Sequence, residues 1–225
     1  MNRLPTPHAE PRVGSTLSRF PTSGEEPSIL AGIFTESVNI AVWRRALTEQ
    51  LRTEVSDLVS RFPSLALSRT VSPEHVQQDI RASLGVAEDN LLSRDIAFLA
   101  EMFCDLLDVR RVGLRLSVLN SAMCPKFHVD RVACRLITSY QGIGTEWLPH
   151  DAVDRSKLGL GSGGLPDHES GLYRSARHIE RLAVGDVAIM KGELWENNEG
   201  AGLVHRSPSI SNDTPRLMLS LDVAR

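Results

Sequence analysis

The spacing of apolar residues changes period at Asp108, and this change constrains the fold more than any other feature of the sequence. Upstream of it, apolar side chains recur at intervals of three and four. Ala41 to Phe62 carries Val42, Ala46, Leu47, Leu51, Val55, Leu58 and Val59 at that spacing, which predicts an amphipathic helix. Ser72-Pro73-Glu74 predicts the start of a second, with Ser72 as N-cap and Pro73 at the first helical position, ending near Leu84-Gly85. A third, from about Leu91 to Val109, sets Leu92, Ile96, Leu99, Phe103 and Leu106 on one face, with Cys104 as a small core residue. That apolar stripe can cover a β-structure or pair two subunits of a homodimer. Downstream, Val112, Leu114, Leu116 and Val118 alternate with Arg111, Gly113, Arg115 and Ser117, the pattern of a strand with one wet face. Further short strands are expected at Arg131–Tyr140, Thr145–Leu148, Arg177–Ala183, Val187–Lys191, Leu203–Arg206 and Arg216–Val223. Helices first and strands after predict an α+β fold, with N-terminal helices on a C-terminal sandwich or barrel.

Residues 1–27, with Pro5, Pro7, Pro11, Pro21 and Pro27 among Ser, Thr, Gly and Glu, read as a flexible arm. Residues 28–110 then form the helical region and 111–225 the β region, the two making one compact unit. The long stretch 149–172, rich in Gly and Asp and including Gly159, Gly161, Gly163 and Gly164, reads as a mobile lid over the barrel mouth. With 225 residues, 41% of them hydrophobic and 24% charged, the chain has ordinary globular means. No apolar run approaches the ~20 residues of a membrane span, and the start has no apolar leader. Three cysteines, an odd count, read as thiols in a reducing compartment, so a cytoplasmic location is expected. The 25 basic and 28 acidic residues are interspersed, which argues against nucleic-acid binding. Only Lys126, Lys157 and Lys191 are lysines, leaving few candidates for Schiff-base chemistry. There is no phosphate-binding Gly-Lys-Ser order and no G-x-S-x-G elbow.

The chemistry-bearing residues lie between Cys124 and Arg216. Cys124-Pro125-Lys126-Phe127-His128-Val129-Asp130 opens the second strand, and His128 and Asp130, two apart in extended chain, leave one face. His205 is the candidate third ligand. Two histidines and one carboxylate leave three octahedral positions open, which suits a ferrous ion that must also bind substrate and dioxygen. Arg216, 11 residues after His205, starts the last strand and can clamp a carboxylate of a dicarboxylate cosubstrate through two parallel hydrogen bonds. Arg206, directly after His205, is a second candidate for that clamp. An alternative set, Cys124, His128 and Cys134 with His205, would close a four-ligand zinc site. Strand parity puts Cys134 and Tyr140 on the face of His128 and Asp130, where the Tyr140 hydroxyl would reach the cosubstrate, and turns Arg135 outward to solvent. Trp147 and Trp195 read as packing or a pocket wall, Trp43 as a helix-to-barrel contact. His150, His168 and His178 read as surface-loop residues, with His150-Asp151 the candidate for a second metal site.

This order of motifs resembles the iron(II)- and 2-oxoglutarate-dependent oxygenases from about Val112 to Val223. Their double-stranded β-helix, a jelly-roll or cupin-like fold, carries H-x-D, a distal His and a strand-borne Arg. The segments CPKFHVD, RLITSYQGIGTEWLP, GDVAIMKGELW and GLVHRSP, with Val38–Trp43, are similar to a bacterial family of uncharacterised function, the DUF1826 proteins. The resemblance implies His128, Asp130 and His205 as metal ligands and Arg216 as the 2-oxoglutarate anchor. It also implies a hydroxylation-type oxidation of an unknown substrate. Where the oxygenases often place a hydroxyl residue two after the Arg, this chain has Met218. The association of DUF1826 members with zinc-responsive gene neighbourhoods implies the alternative, a non-catalytic zinc-binding protein of bacterial zinc homeostasis on the same fold.

Overall fold

The computed structural model describes residues 18–210 and 214–224. Strands β1 (Phe20–Gly24) and β2 (Val38–Trp43) flank a 3-10 run, Pro27–Phe34. Helix α1 (Glu49–Arg61), strand β3 (Ala66–Val71), and helices α2 (Val76–Leu84) and α3 (Leu91–Leu107) follow. The remaining strands are β4 (Val112–Leu119), β5 (Cys134–Gln141), β6 (Glu146–Leu148), β7 (Glu180–Arg181), β8 (Val187–Lys191), β9 (Val204–Arg206) and β10 (Arg216–Val223).

Capping fixes where the helices begin. Thr48 accepts from the Leu51 amide at the start of α1. At α3, Asn90 accepts from the Ser93 amide, while Glu54 of α1 accepts from the Leu91 and Leu92 amides. One helix thus caps the next. The α3 apolar stripe is expressed as predicted: Leu92, Ile96, Leu99, Ala100 and Phe103 are buried inside the chain against the sheet. The first two helices differ from expectation. Ala41 and Val42 belong to β2, which is buried on both faces and so shows no alternation to read. Ser72 and Pro73 precede α2 in a turn, where the Ser72 carbonyl accepts from the His75 and Val76 amides, and the N-cap is His75. Strand β3 gave no signal because it is an edge strand whose Ser68, Arg69 and Thr70 all face solvent. The strand expected at Arg177–Ala183 shrinks to the two residues of β7.

Seven strands form one sheet in the order β1-β2-β8-β5-β10-β4-β3, antiparallel except for β1 beside β2. It therefore takes three strands from the first 110 residues. Of the expected arm, residues 1–17 lie outside the described residues, and residues 20–24 form β1. A second sheet, β7-β6-β9, faces the first. One face of the large sheet (Leu114, Leu136, Val187, Leu219) shares a single apolar cluster with α1, α2 and α3. On the other face, Ile40, Ile137, Ala188 and Met190 meet Trp147 and Leu203 of the small-sheet side. Segment 149–179 is not a lid over the mouth. It runs through four short 3-10 turns and packs Leu172, with Val153, Leu158 and Tyr173, onto Phe127, Leu148 and Val204 behind the small sheet. Among the described residues no helix is long and apolar enough to cross a membrane.

Phe103 is fully buried between α3 and the sheet, whereas Phe98 on the same helix is half exposed and touches Trp43 edge-on. Phe103→Ala should cost about 3–5 kcal/mol of stability and Phe98→Ala only about 1 kcal/mol. Denaturant midpoints would show equal losses if α3 did not pack in this orientation.

Candidate metal centre

His128 and His205 are joined through their backbones. The amide of each donates to the carbonyl of the other, at 2.9 and 3.0 Å. In such an antiparallel pair both side chains leave the same face, and the two rings stand 4.6 Å apart between centroids. Each Nδ1 lies against the carbonyl oxygen two residues back, Lys126 at 2.9 Å and Leu203 at 3.2 Å. A carbonyl only accepts, so Nδ1 carries a proton in both rings; Nε2 keeps its lone pair for a metal in the neutral ring and carries the second proton toward Asp130 in the charged one. Both Nε2 atoms point at Asp130, at 3.6 Å from Oδ1 for His128 and 3.4 Å from Oδ2 for His205. The ligand atoms of these three residues lie within 4.8 Å of one another.

Asp130 is placed by the loop after β8. Gly192 donates to the Ala133 carbonyl, Glu193 to that of Asp130 and Leu194 to that of Val132. A Cβ at Gly192 would sit 2.7 Å from the Asp130 oxygen and 2.2 Å from that of Val132, so only glycine permits this approach. Burial alone would raise the Asp130 carboxyl, but the facing His128 and His205 rings and the Arg135 charge hold it well below the usual carboxylate range. The facing Asp130 carboxylate likewise raises His128 above its ordinary value, against the opposing effect of burial.

Arg216 is fully buried at the start of β10. Its guanidinium donates to three hydroxyls: Ser139 Oγ at 3.0 Å, Thr145 Oγ1 at 2.6 Å and Ser207 Oγ at 3.3 Å. Among the described residues no carboxylate pairs with it, and burial pushes it down to about 10. Ser207 lies two residues beyond His205, just past the end of β9, so the chain joins one of the guanidinium's partners to the trio.

The other expected residues are distributed differently. Residues 131–133 form a bend, so the alternation read from His128 does not carry into β5. There the odd residues Arg135, Ile137 and Ser139 face the small sheet, and the even residues face the helices. Tyr140 therefore points away from the trio and donates its hydroxyl to Asp95 of α3 at 2.6 Å; burial and that carboxylate push its phenol well above 10. Cys134 sits in the helix-side core, its thiol pushed up to about 12 by burial. Cys124 is exposed. Among the described residues neither cysteine, nor His150 with Asp151, joins a group of three or more ligand side chains, so the expected four-ligand zinc set is not assembled. Arg206 is matched elsewhere, by Glu146 at 2.7 Å, by Asp167 at 3.3 Å and by the Phe127 ring at 4.3 Å. Arg135 is not a solvated charge: it bridges Asp130 and Asp222. Trp147 packs opposite His205 on the inner face, Trp195 against Phe34 and Lys191, and Trp43 against Phe98. His150 lies beside Arg155, His168 pairs with Glu169 at the surface, and His178 lines an open cleft of about 790 Å³ behind the small sheet. Sequence reasoning missed Ser139, Thr145, Ser207, Arg135, Asp222 and Gly192. For Asp222 a signal existed, the lone acid of a strand that carries Leu217, Leu219 and Leu221.

A family described as "Protein of unknown function (DUF1826)" matches residues 24–222. No curated protein matches the chain. Solved structures with a similar layout include a rice dioxygenase for auxin oxidation, 11% identical at a TM-score of 0.49, covering 91% of this chain and 82% of that one. A prolyl-4-hydroxylase of Pseudomonas putida is 10% identical at a TM-score of 0.46, covering 88% and 98%. HygX of Streptomyces hygroscopicus, with nickel and 2-oxoglutarate bound, is 12% identical at a TM-score of 0.41, covering 88% and 86%. At such identities only the residues of the site can carry a reading of function.

A carboxyl that titrates lower in the folded chain than in the unfolded one stabilises the fold above the ordinary carboxylate range. That contribution is lost as pH falls below about 4. Asp130→Asn should therefore flatten the acid limb of the stability curve of the metal-free protein, while Glu88→Gln, at an exposed 4.0 Å pair, should leave it unchanged. Equal acid limbs for wild type and Asp130→Asn would contradict the ion pairs drawn here.

Proposed function

We propose, for a chain that belongs to the DUF1826 family of proteins of unknown function, the activity of a non-haem iron(II)- and 2-oxoglutarate-dependent oxygenase. The two facing sheets are read as its double-stranded β-helix. The substrate oxidised, by a hydroxylation-type reaction, is not named by the site. His128, Asp130 and His205 would hold the ferrous ion through two neutral imidazoles and one carboxylate, an oxygen- and nitrogen-rich set with open positions.

The observation that carries this reading is Arg216. A buried guanidinium without a carboxylate is costly, by several kcal/mol. Arg135 and Arg206 each have one, whereas Arg155 rests on the Gly202 carbonyl. Three hydroxyls orient Arg216 without neutralising it, and so fit a group that supplies the missing anion. The far carboxylate of 2-oxoglutarate is such an anion, and it would leave the keto-acid end for a metal held by the trio. The hydroxyls of Ser139, Thr145 and Ser207 take the place of the hydroxyl residue that the oxygenases often carry where Met218 stands. When bound, the ferrous ion and 2-oxoglutarate supply activation of dioxygen for oxidation of a substrate C–H bond. The protein's part is orientation, charge matching and a dry interior lined by Ile137, Trp147, Leu203 and Met218.

The test is an anaerobic titration of the metal-free protein with ferrous iron and 2-oxoglutarate, read by the visible charge-transfer band of the chelate. His205→Ala should abolish the band. Arg216→Met should weaken 2-oxoglutarate binding by about 30-fold or more. The same variant should leave the ligand-free fold equally or more stable, by up to a few kcal/mol, because it removes an uncompensated buried charge. No band in the wild-type protein, or one that Arg216→Met leaves unchanged, rejects the assignment.

A further inference from the structure

Asp130 is not left to the two histidines alone. Arg135 donates from Nη1 to Oδ2 of Asp130 at 2.5 Å. The other edge of its guanidinium is fixed on Asp222, with Nε on Oδ1 at 2.7 Å and Nη2 on Oδ2 at 2.9 Å. Asp222 lies directly opposite Arg135 in the β5–β10 ladder. From the far side it also accepts from Arg115 of β4 at 3.1 Å. A chain of alternating charge, Arg115–Asp222–Arg135–Asp130, therefore crosses three neighbouring strands and ends on the carboxylate of the trio. A planar fork pinned along one edge cannot turn, so its remaining nitrogen is aimed at a fixed point.

We propose that Arg135 is a positioning residue that holds Asp130 to one-oxygen coordination: it takes Oδ2, leaving Oδ1 for the metal, and Asp222 holds Arg135 in that pose. The inference rests on the trio being a metal site. Its consequence is a count of positions. A carboxylate that binds through both oxygens fills two of six octahedral positions, and with two histidines leaves two. That is one too few for a bidentate cosubstrate and dioxygen together. With Oδ2 engaged by a charged donor, three remain.

Affinity alone would not read this out cleanly in every variant. Removing Arg135 frees the carboxylate to rotate, which weakens binding, but also removes a cation that repels the metal, which strengthens it. Lysine separates the two effects, since it keeps the charge and lacks the fork. The experiment is a cobalt(II) titration of the full chain, read by the visible ligand-field spectrum, which reports coordination number and geometry. Arg135→Lys and Arg135→Met are compared with wild type, and the thermal stability of each apoprotein is measured alongside. The expected result is a changed cobalt spectrum in both variants and, in Arg135→Lys, an affinity lower by about 10-fold or more. Asp222→Asn, which keeps Arg135 but loosens its hold, should shift the spectrum in the same direction, and it decides the matter if the Arg135 variants do not fold. A spectrum superimposable on wild type in a folded Arg135 variant, or in Asp222→Asn when those do not fold, overturns the inference and leaves the metal site standing. A wild-type protein that takes up no cobalt overturns the metal site itself, and the inference with it.

Discussion

Two backbone hydrogen bonds between His128 and His205 carry the architecture around the trio. They join segments far apart in the chain, and an exchanged pair of this kind dictates that both side chains rise from one face. The ring positions are thus set by main chain before any side chain makes a choice. The small sheet to which this pair belongs is only two to three residues long per strand, too short to stand alone in water. It persists because both of its faces are covered, by the large sheet on one side and by segment 149–179 on the other. Asp167 secures that outer cover by accepting from the Phe127 amide, immediately before His128.

The large sheet carries buried charge on both faces, and the way each charge is matched separates structure from function. On the helix side, Arg45 grips both oxygens of Asp95, at 2.6 and 2.8 Å, and Tyr140 adds its hydroxyl. That network fastens α3 to β5. Around the trio, Arg135 has Asp130 and Asp222, and behind the small sheet Arg206 has Glu146 and Asp167. These three sites are self-contained. Arg216 differs because its partners are hydroxyls, which orient a cation but leave its charge in place.

Much of this was legible from sequence where local pattern and tertiary role agree. The α3 stripe, the alternation of β4 and the apolar runs of β8 and β10 each point one way and are used that way. The trio was readable because H-x-D and a distal His carry their chemistry in their residue types. What stayed hidden has physical reasons. β2 is buried on both faces, so nothing in Val38–Trp43 alternates. β3 is an edge strand with three consecutive solvent-facing residues. Unbroken alternation through residues 131–133 would put Tyr140 and Arg135 on the faces opposite to those they occupy, and the bend there breaks it. The hydroxyls around Arg216 come from β5, the β5–β6 turn and the end of β9, so no spacing in the chain links them.

The bend at 131–133 acts as a phase break. Upstream of it, side-chain direction is referenced to the His128–His205 pair; downstream, it is referenced to the β5–β8 and β5–β10 ladders. Two links cross the break: the loop after β8, whose Glu193 amide holds the Asp130 carbonyl while β8 itself pairs with β5, and the inward-facing side chain of Arg135. The first is main chain and indifferent to side-chain identity, so only the second ties the direction of the Asp130 carboxylate to the residues that β5 carries.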